Sequence, residues 1–405
     1  MVGKNLPILI AGGGIGGLSA ALALALKGRR AHVLEKAPEF GEIGYGIQMG
    51  PNVSRMLDRL GLLKALEPHS VFPDALILVD AVDNREISRI TLGRKFLERY
   101  QYRYFVIHRR DLHGEILEAC KRREEITLEA SRGLVSFEER GSSVIVRCEN
   151  GAEYEGAALV GAEGLWSPTR AAIVADGAPR VAGHVTYRGV VPTGEIIDRS
   201  HLDSMTIWVG PNLHLVQYRL RGGTVMNNVA TVSSRRFRRG ERPFGEWDEL
   251  EEVFSRADPR VRDMLRYFSR DRNWVLHDRD PVTHWTRGRA TLLGDAAHPT
   301  LQYLAQGANM AIEDSVVLAE KVAAAGDDCN RAFLAYQSSR MNRTARVVLS
   351  SRFFGEYFHV DGGARELRNE LARGRDPEDP WEIDWLYRGI EVDGRLGPSS
   401  YEVTQ

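Results

Sequence analysis

The sequence predicts an α/β protein: a parallel sheet of βαβ units, a β-rich domain inserted into it, and a helical tail. Three observations carry this. A long apolar run near the start is split by glycines into a strand and a helix. A strand-patterned stretch in the middle lies between stretches that alternate strand and helix, as an inserted domain would. Helical periodicity then dominates after residue 307.

Pro7 to Ala11 reads as a buried strand, Ile15 to Lys27 as a helix, and Ala31 to Leu34 as a second strand, a βαβ opening that implies parallel pairing. The apolar run Leu6 to Leu26, preceded by Lys4, imitates a signal peptide or a span. The clustered Gly12, Gly13, Gly14, Gly16 and Gly17 argue against both. Val53 to Leu66 is helical, with Met56, Leu57, Leu60 and Leu63 on one face. Ala75–Val79 and Ile87–Leu92 read as strands around a turn at Asp83 and Asn84. Asp111–Lys121 is helical, Ile126–Val146 returns to strands, and Ala157–Gly161 is a short apolar strand. Gly183 to Val232 reads as successive strands, and Thr291–Gly294 as one more. Gly307–Ala325 and Ala332–Leu349 are helices, and the charged tail carrying Trp381 and Trp385 is expected to dock on the body or a second subunit. The expected division is 1–74, 100–180 and 281–355 for the parallel-sheet domain, 75–99 and 181–280 for the insertion, and 356–405 for the tail.

Composition narrows the function. The 405 residues carry 54 Lys+Arg against 55 Asp+Glu, so bulk charge gives nucleic acid no footing. Cys120, Cys148 and Cys329 form no CxxC, which argues against a disulfide framework or a metal site and for a reducing, cytoplasmic compartment. No stretch beyond the glycine-split run approaches membrane length.

Gly12, Gly14 and Gly17 make a G-x-G-x-x-G between strand and helix, and Glu35 closes the second strand. Gly12 permits the tight turn, Gly14 lets a pyrophosphate approach the backbone, and Gly17 lets the helix pack on the strand. Free N–H groups of the helix start suit phosphates, and Glu35 suits ribose hydroxyls. This pattern alone does not separate NAD from FAD. Far downstream, Gly294-Asp295-Ala296-Ala297-His298-Pro299 ends a strand in an acid that can bind a ribityl hydroxyl, with small neighbours for close packing. Gly307 opens a helix whose positive end suits the anion of a reduced flavin.

With these motifs in order, the chain resembles the class A flavoprotein monooxygenases, the para-hydroxybenzoate hydroxylase-like family. A further family motif is matched at Val160-Gly161-Ala162-Glu163-Gly164-Leu165-Trp166-Ser167-Pro168-Thr169-Arg170, with Glu163 where the family usually has Asp. The resemblance implies a Rossmann-like FAD-binding domain with an inserted β-sheet substrate domain. It implies bound FAD, O2 as oxidant through a flavin C4a-hydroperoxide, and NADH or NADPH bound transiently along a groove. It implies FAD contacts from Gly12, Gly14, Ile15, Gly16, Gly17, Glu35, Lys36, Gly46, Ile47, Gln48, Arg109, Glu163, Asp295, Pro299, Gly307, Ala308 and Asn309. It also implies, with the Trp-bearing tail, a homodimer.

Within the family, Gly210–Tyr218, His298–Leu304, Arg103–Val106 and pieces near His359–Gly362 and Arg368–Leu371 resemble the 3-hydroxybenzoate 6-hydroxylase subgroup. That likeness implies a small aromatic acid hydroxylated para to its existing hydroxyl, giving gentisate. Salicylate, 6-hydroxynicotinate or a larger aromatic are the alternative substrates, and a non-catalytic FAD-binding protein is the alternative of another class. On a strand through Leu213–Leu220, His214, Val216 and Tyr218 share one face. His214 is the expected base, an imidazole with a pKa near neutrality suiting removal of a phenolic proton. Gln302 is expected to orient the phenol, and Tyr104 and Tyr218 to hold the ring. His69, His184, His201, His277 and His284 have no motif context, and the basic run Arg235, Arg236, Arg238, Arg239 and Arg242 reads as a solvated loop rather than a phosphate dock.

Overall fold

The computed structural model describes residues 6–41 and 44–389; Lys4 and the end of the tail, 390–405, lie outside them. Four parallel strands, Ile126–Glu129, Ala31–Leu34, Ile8–Ala11 and Ala158–Gly161, continue into Ala290–Leu292, also parallel, with Thr286–Arg287 antiparallel at the edge. Ile8–Ala11 is central and buried on both faces, which is why it has no polar position. The helix Ile15–Leu26 is buried from Gly17 to Ala25 because it lies between this sheet and the helix Gly307–Ala325. Small residues on the first helix make that close packing possible. A Cβ on Gly17 would sit 1.9 Å from the Gly12 carbonyl oxygen, so glycine is obligatory there.

A second, seven-stranded sheet runs in the order Trp274–Asp278, Arg180–Pro192, Val225–Ser233, Leu213–Leu220, Met205–Gly210, Ala75–Asp80, Glu86–Thr91. Pairing is antiparallel except between Met205–Gly210 and Ala75–Asp80. Its far face packs on the helices Trp247–Phe254 and Pro259–Asp263 through Trp208, Leu250 and Phe254. A small sheet of Gly46–Met49, Phe105–His108 and Ser70–Val71 lies where the two units meet.

The Val53–Leu66 helix of the sequence reading is instead two pieces, Pro51–Arg59 and Leu63–Leu66, separated at Gly61, which has φ +72°. The second long C-terminal helix extends further than its apolar pattern, over Cys329–Phe358. Tail residues do return to the body: Tyr387 packs edge-on against Tyr100, and Arg346 lies over Trp385 at 4.1 Å. Trp381 stays 64% exposed. Among the described residues no helix is long and apolar enough to cross a membrane, and no cluster of His, Cys, Asp or Glu could hold a metal ion.

Candidate active site

A cavity of about 910 Å³ opens between the parallel sheet and the seven-stranded sheet. One wall is the loop between the first strand and helix. Gly12 has φ +104°, and a Cβ there would lie 2.4 Å from the Ala162 oxygen, so only glycine lets the first and second motifs touch. Glu35 receives Gly13 N–H at 2.5 Å and Ala37 N–H at 2.7 Å, which fixes the carboxylate at the cavity edge beside Lys36. Glu163 also lines the cavity. Its longer side chain folds back to accept from the hydroxyls of Ser167, at 2.6 Å, and Thr169. Burial pushes its carboxyl pKa up.

The motifs are tied to one another by buried charge. Arg170 donates to the carbonyls of Ala296 at 2.9 Å and Ala297 at 2.6 Å, joining the second motif to the third. Asp314 accepts from Gly294 N–H at 3.0 Å, contacts His298 Nε2 at 2.6 Å, and pairs with Arg340 at 2.6 Å. His298 is thus an anchor of the loop. Next to it, Glu313 pairs with Arg340 and Arg343, each at 2.8 Å, and these cations, against the cost of burial, hold its pKa down to about 2. Together they aim Asp295 and the helix start at Gly307 and Ala308 into the cavity. Gly46, Ile47, Gln48 and Arg109 also line the cavity.

The residues present fit an FAD. The glycine cradle admits backbone approach, a helix start faces the space, and the buried Asn309 Oδ1 finds no hydrogen-bond partner among the described residues. Gly17, Pro299 and Asn309 do not line the cavity, though Gly17 and Asn309 shape its wall. Asn309 does so by donating to the carbonyls of Ala305 at 2.6 Å and Gln48 at 3.2 Å.

At the far end, the strand Leu213–Leu220 presents His214, Val216 and Tyr218 on one face, all lining the cavity. Tyr218 passes so close to Gly46 that a Cβ there would meet its ring at 2.5 Å. Gln302 is held from both sides: its Nε2 donates to Thr231 at 2.7 Å and Thr186 at 3.0 Å, and its Oε1 accepts from Arg188 at 3.3 Å. Tyr104 is buried behind this wall and donates to Gln48 Oε1 at 2.6 Å, so it braces the cavity without lining it.

The near-neutral imidazole expected at position 214 is corrected by the fold. Burial, with a smaller push from His184, drives the His214 pKa down to about 3. Its Nδ1 lies 2.9 Å from His359 Nε2. His184 belongs to the same cluster through Tyr303, 2.6 Å from its Nδ1, and His277 lines the cavity mouth beside Trp166.

Sequence reasoning also missed Arg188. It shares a strand face with Thr186, lines the cavity, and lies over Tyr45 at 5.2 Å and Trp274 at 5.8 Å. Among the described residues no carboxylate pairs with it, and burial lowers its pKa. The available signal was an Arg inside the strand-patterned run Val185 to Val191. The basic run is not aimed at the cavity. Arg235, Arg236 and Arg239 pair with Glu252, Asp248 and Glu241, and Arg242 stacks on Phe244 at 4.6 Å.

Comparison with known proteins agrees with this geometry. Residues 5–351 match the FAD binding domain family. A 3-hydroxybenzoate 6-hydroxylase of Polaromonas naphthalenivorans (strain CJ2) is 43% identical over 384 residues, covering 95% of this chain and 96% of that one. The 3-hydroxybenzoate 6-hydroxylase 1 of Aquipseudomonas alcaligenes is 43% identical over 382 residues, covering 94% and 97%. Among solved structures, a single-residue variant of Klebsiella pneumoniae HpxO complexed with FAD superposes with a TM-score of 0.81 at 25% identity, covering 95% and 99%. The chain belongs to the FAD binding domain family and is a class A flavoprotein aromatic hydroxylase.

Proposed function

We propose that this chain hydroxylates 3-hydroxybenzoate para to its hydroxyl, giving gentisate, at the expense of NAD(P)H and O2. The observation that carries the reading is the far end of the cavity, where a neutral imidazole, an amide held from both sides and an unneutralised guanidinium face one space. A ring with one phenolic hydroxyl and one carboxylate complements that set. Its full-length relatives named for 3-hydroxybenzoate support the choice.

Bound FAD, reduced by the nicotinamide, would supply the electrophilic oxygen derived from O2, held by the Gly12–Gly17 loop, Glu35, Arg109, Asp295 and the helix start at Gly307. The remaining work falls to side chains. Arg188 binds the carboxylate through a charge-assisted bond. Gln302 orients the phenolic oxygen. His214 Nε2 takes the phenolic proton, making the ring electron-rich. A buried imidazole with a pKa near 3 is a weak base in the free protein, but an anionic ring beside it favours the imidazolium and raises that pKa. Tyr218 packs on the ring from its strand. Tyr104 acts at one remove, through Gln48.

We further infer that 75–99 and 181–280 act as the substrate domain, supported by their sharing the seven-stranded sheet. A cytoplasmic homodimer is inferred from three unpaired, buried cysteines and from exposed Leu349, Phe353, Leu367 and Leu371 on the C-terminal helices; sedimentation checks the dimer. The function is tested with a panel of hydroxybenzoates, salicylate and 6-hydroxynicotinate, following NAD(P)H oxidation and product together. Stoichiometric gentisate from 3-hydroxybenzoate is expected. Oxidation without product from 3-hydroxybenzoate, or coupled turnover of another ring only, overturns the assignment.

A further inference from the structure

His359 is the first residue after the helix Cys329–Phe358, far in sequence from the substrate strand. Its position is nevertheless fixed. Its carbonyl accepts from Asn212 N–H at 2.9 Å, and the preceding Phe358 carbonyl accepts from Arg368 at 3.0 Å. Its ring meets that of His214 edge to edge, with centroids 5.2 Å apart and planes 27° apart, while Tyr303 and Phe358 flank His214 at 5.1 and 5.8 Å. These contacts leave the His214 ring little freedom to rotate.

The chemistry of the contact is binary. Two neutral imidazoles meeting at 2.9 Å between His214 Nδ1 and His359 Nε2 can place only one hydrogen there. If His359 donates, His214 must carry its hydrogen on Nε2 and cannot accept another from a phenol. If His214 donates, its Nε2 is left as a bare lone pair.

We infer that His359 is a positioning residue for this reaction: its Nε2 accepts the His214 Nδ1–H and so keeps His214 Nε2 free to take the substrate proton. This rests on the reading of His214 as the proton acceptor. The proton balance is simple. The phenolic O–H bond breaks, its hydrogen moves to His214 Nε2, and the Nδ1–H stays in place. The bond to His359 then becomes charge-assisted and strengthens as the imidazolium forms.

A neutral acceptor in this place has a consequence that a carboxylate would not. A carboxylate against Nδ1 would favour the imidazolium in the empty site, whereas His359 lets His214 rest neutral. The groups facing His359 are consistent with its staying neutral. Burial acts most strongly, and the facing groups, His214, His184 and the guanidinium groups of Arg238 and Arg368, each disfavour a further positive charge. Tyr303 is committed to His184. With Nε2 accepting, His359 carries its own hydrogen on Nδ1, which is buried without an acceptor among the described residues, a cost that the proposed tautomer must offset.

The test is nitrogen-15 NMR of the FAD-loaded protein with labelled histidine, with His214→Gln used for assignment. The Nδ1–H form of His214 is expected, and an Nε2–H form overturns the inference. Two variants give a functional readout, the apparent pKa of the bound phenol from its ultraviolet difference spectrum. His359→Leu is expected to raise it by about one unit, a tenfold smaller phenolate fraction at fixed pH, while benzoate, which has no hydroxyl, binds as before. His359→Gln, which retains an acceptor oxygen, is expected to restore it. Equal effects from Leu and Gln, or equal loss of benzoate binding, overturn the role. Should the Leu variant not fold, the labelled wild type and the Gln variant still decide. A His214→Ala protein whose bound phenol ionises as in wild type would instead remove the premise about His214.

Discussion

Replacing Arg188 by methionine tests whether the substrate's charge is recognised at this guanidinium. Methionine keeps an unbranched apolar stem against Tyr45 and Trp274 and removes the cation that lies 5.2 and 5.8 Å from those rings. Among the described residues Arg188 has no anionic partner; it contacts Gln302 at 3.3 Å and the rings of Tyr45 and Trp274, against which methionine still packs, so its loss should cost the fold little. In the complex the missing cation leaves a desolvated carboxylate uncompensated. Breaking such a pair costs about 2–5 kcal/mol, and each ~1.4 kcal/mol is a decade, so Kd for 3-hydroxybenzoate should rise on the order of thirty- to several-thousand-fold. The informative assay compares that acid with 3-hydroxybenzamide, titrating each into the FAD-loaded protein and following flavin absorbance. Wild type should prefer the acid strongly, and Arg188→Met should bring the two close together with FAD content unchanged. If both ligands weakened by the same factor, Arg188 would be shaping the cavity and not reading charge. If neither weakened, the carboxylate would lie elsewhere and the proposed orientation would be wrong.

Other outcomes follow from the same contacts. Gly17→Ala forces a methyl to within 1.9 Å of the Gly12 oxygen; overpacking of this kind costs about 1–3 kcal/mol or more, so the protein should be isolated with little FAD and a lower melting temperature, and a yellow, equally stable variant would contradict the packing. His214→Ala should keep its FAD yet form product about 10²–10⁴-fold more slowly; undiminished product removes it from the mechanism. Stability should fall as pH drops from 7 to 5. His184 and His214 are held near 4 and 3 by burial, and His359 well below its ordinary value, whereas unfolded histidines bind protons near ~6.5. The unfolded state therefore takes up more protons throughout that window, and each of the three histidines favours unfolding below about 6.5. Glu313, held near 2, does not titrate there, so a denaturation midpoint equal at pH 7 and pH 5 would show that the histidines are not buried in neutral form.

Legibility in the sequence followed the range of the interaction. The glycine loop and its flanking strand and helix were readable because strand, turn and helix are specified by adjacent residues, and Gly17 records the packing of its own helix on its own strand. Likewise Leu213–Leu220 appeared at its full observed length, since alternation with period two exposes which side chains share a face. What could not be read was anything decided by which distant segments meet. Arg188 looked like one more arginine among many until the fold placed it on the cavity wall with no carboxylate partner among the described residues. His184 had no motif context, and His359 stood only in a stretch resembling the subgroup with no role attached, because their environment consists of each other, Tyr303 and His214, which come from four separate segments.

The same distinction explains the error at His214. Its identity and facing were local properties and were anticipated. Its proton affinity was not local. A near-neutral imidazole is the expectation for a side chain considered alone, and here the surroundings supply burial and another imidazole with no carboxylate in contact. A base depressed this far would be poorly suited to an uncharged ligand. It is better suited to a ring that brings its own negative charge, as the proposed pairing with Arg188 requires. On this reading the guanidinium and the imidazole act together: one admits only an anionic ring, and that anion then makes the other basic enough to take the proton. Binding of the right substrate thereby becomes a condition of its own activation. Neutral phenols should accordingly fail twice, in affinity and in phenolate formation once bound, and the two failures are separable by measuring Kd and the bound-phenol pKa on the same sample.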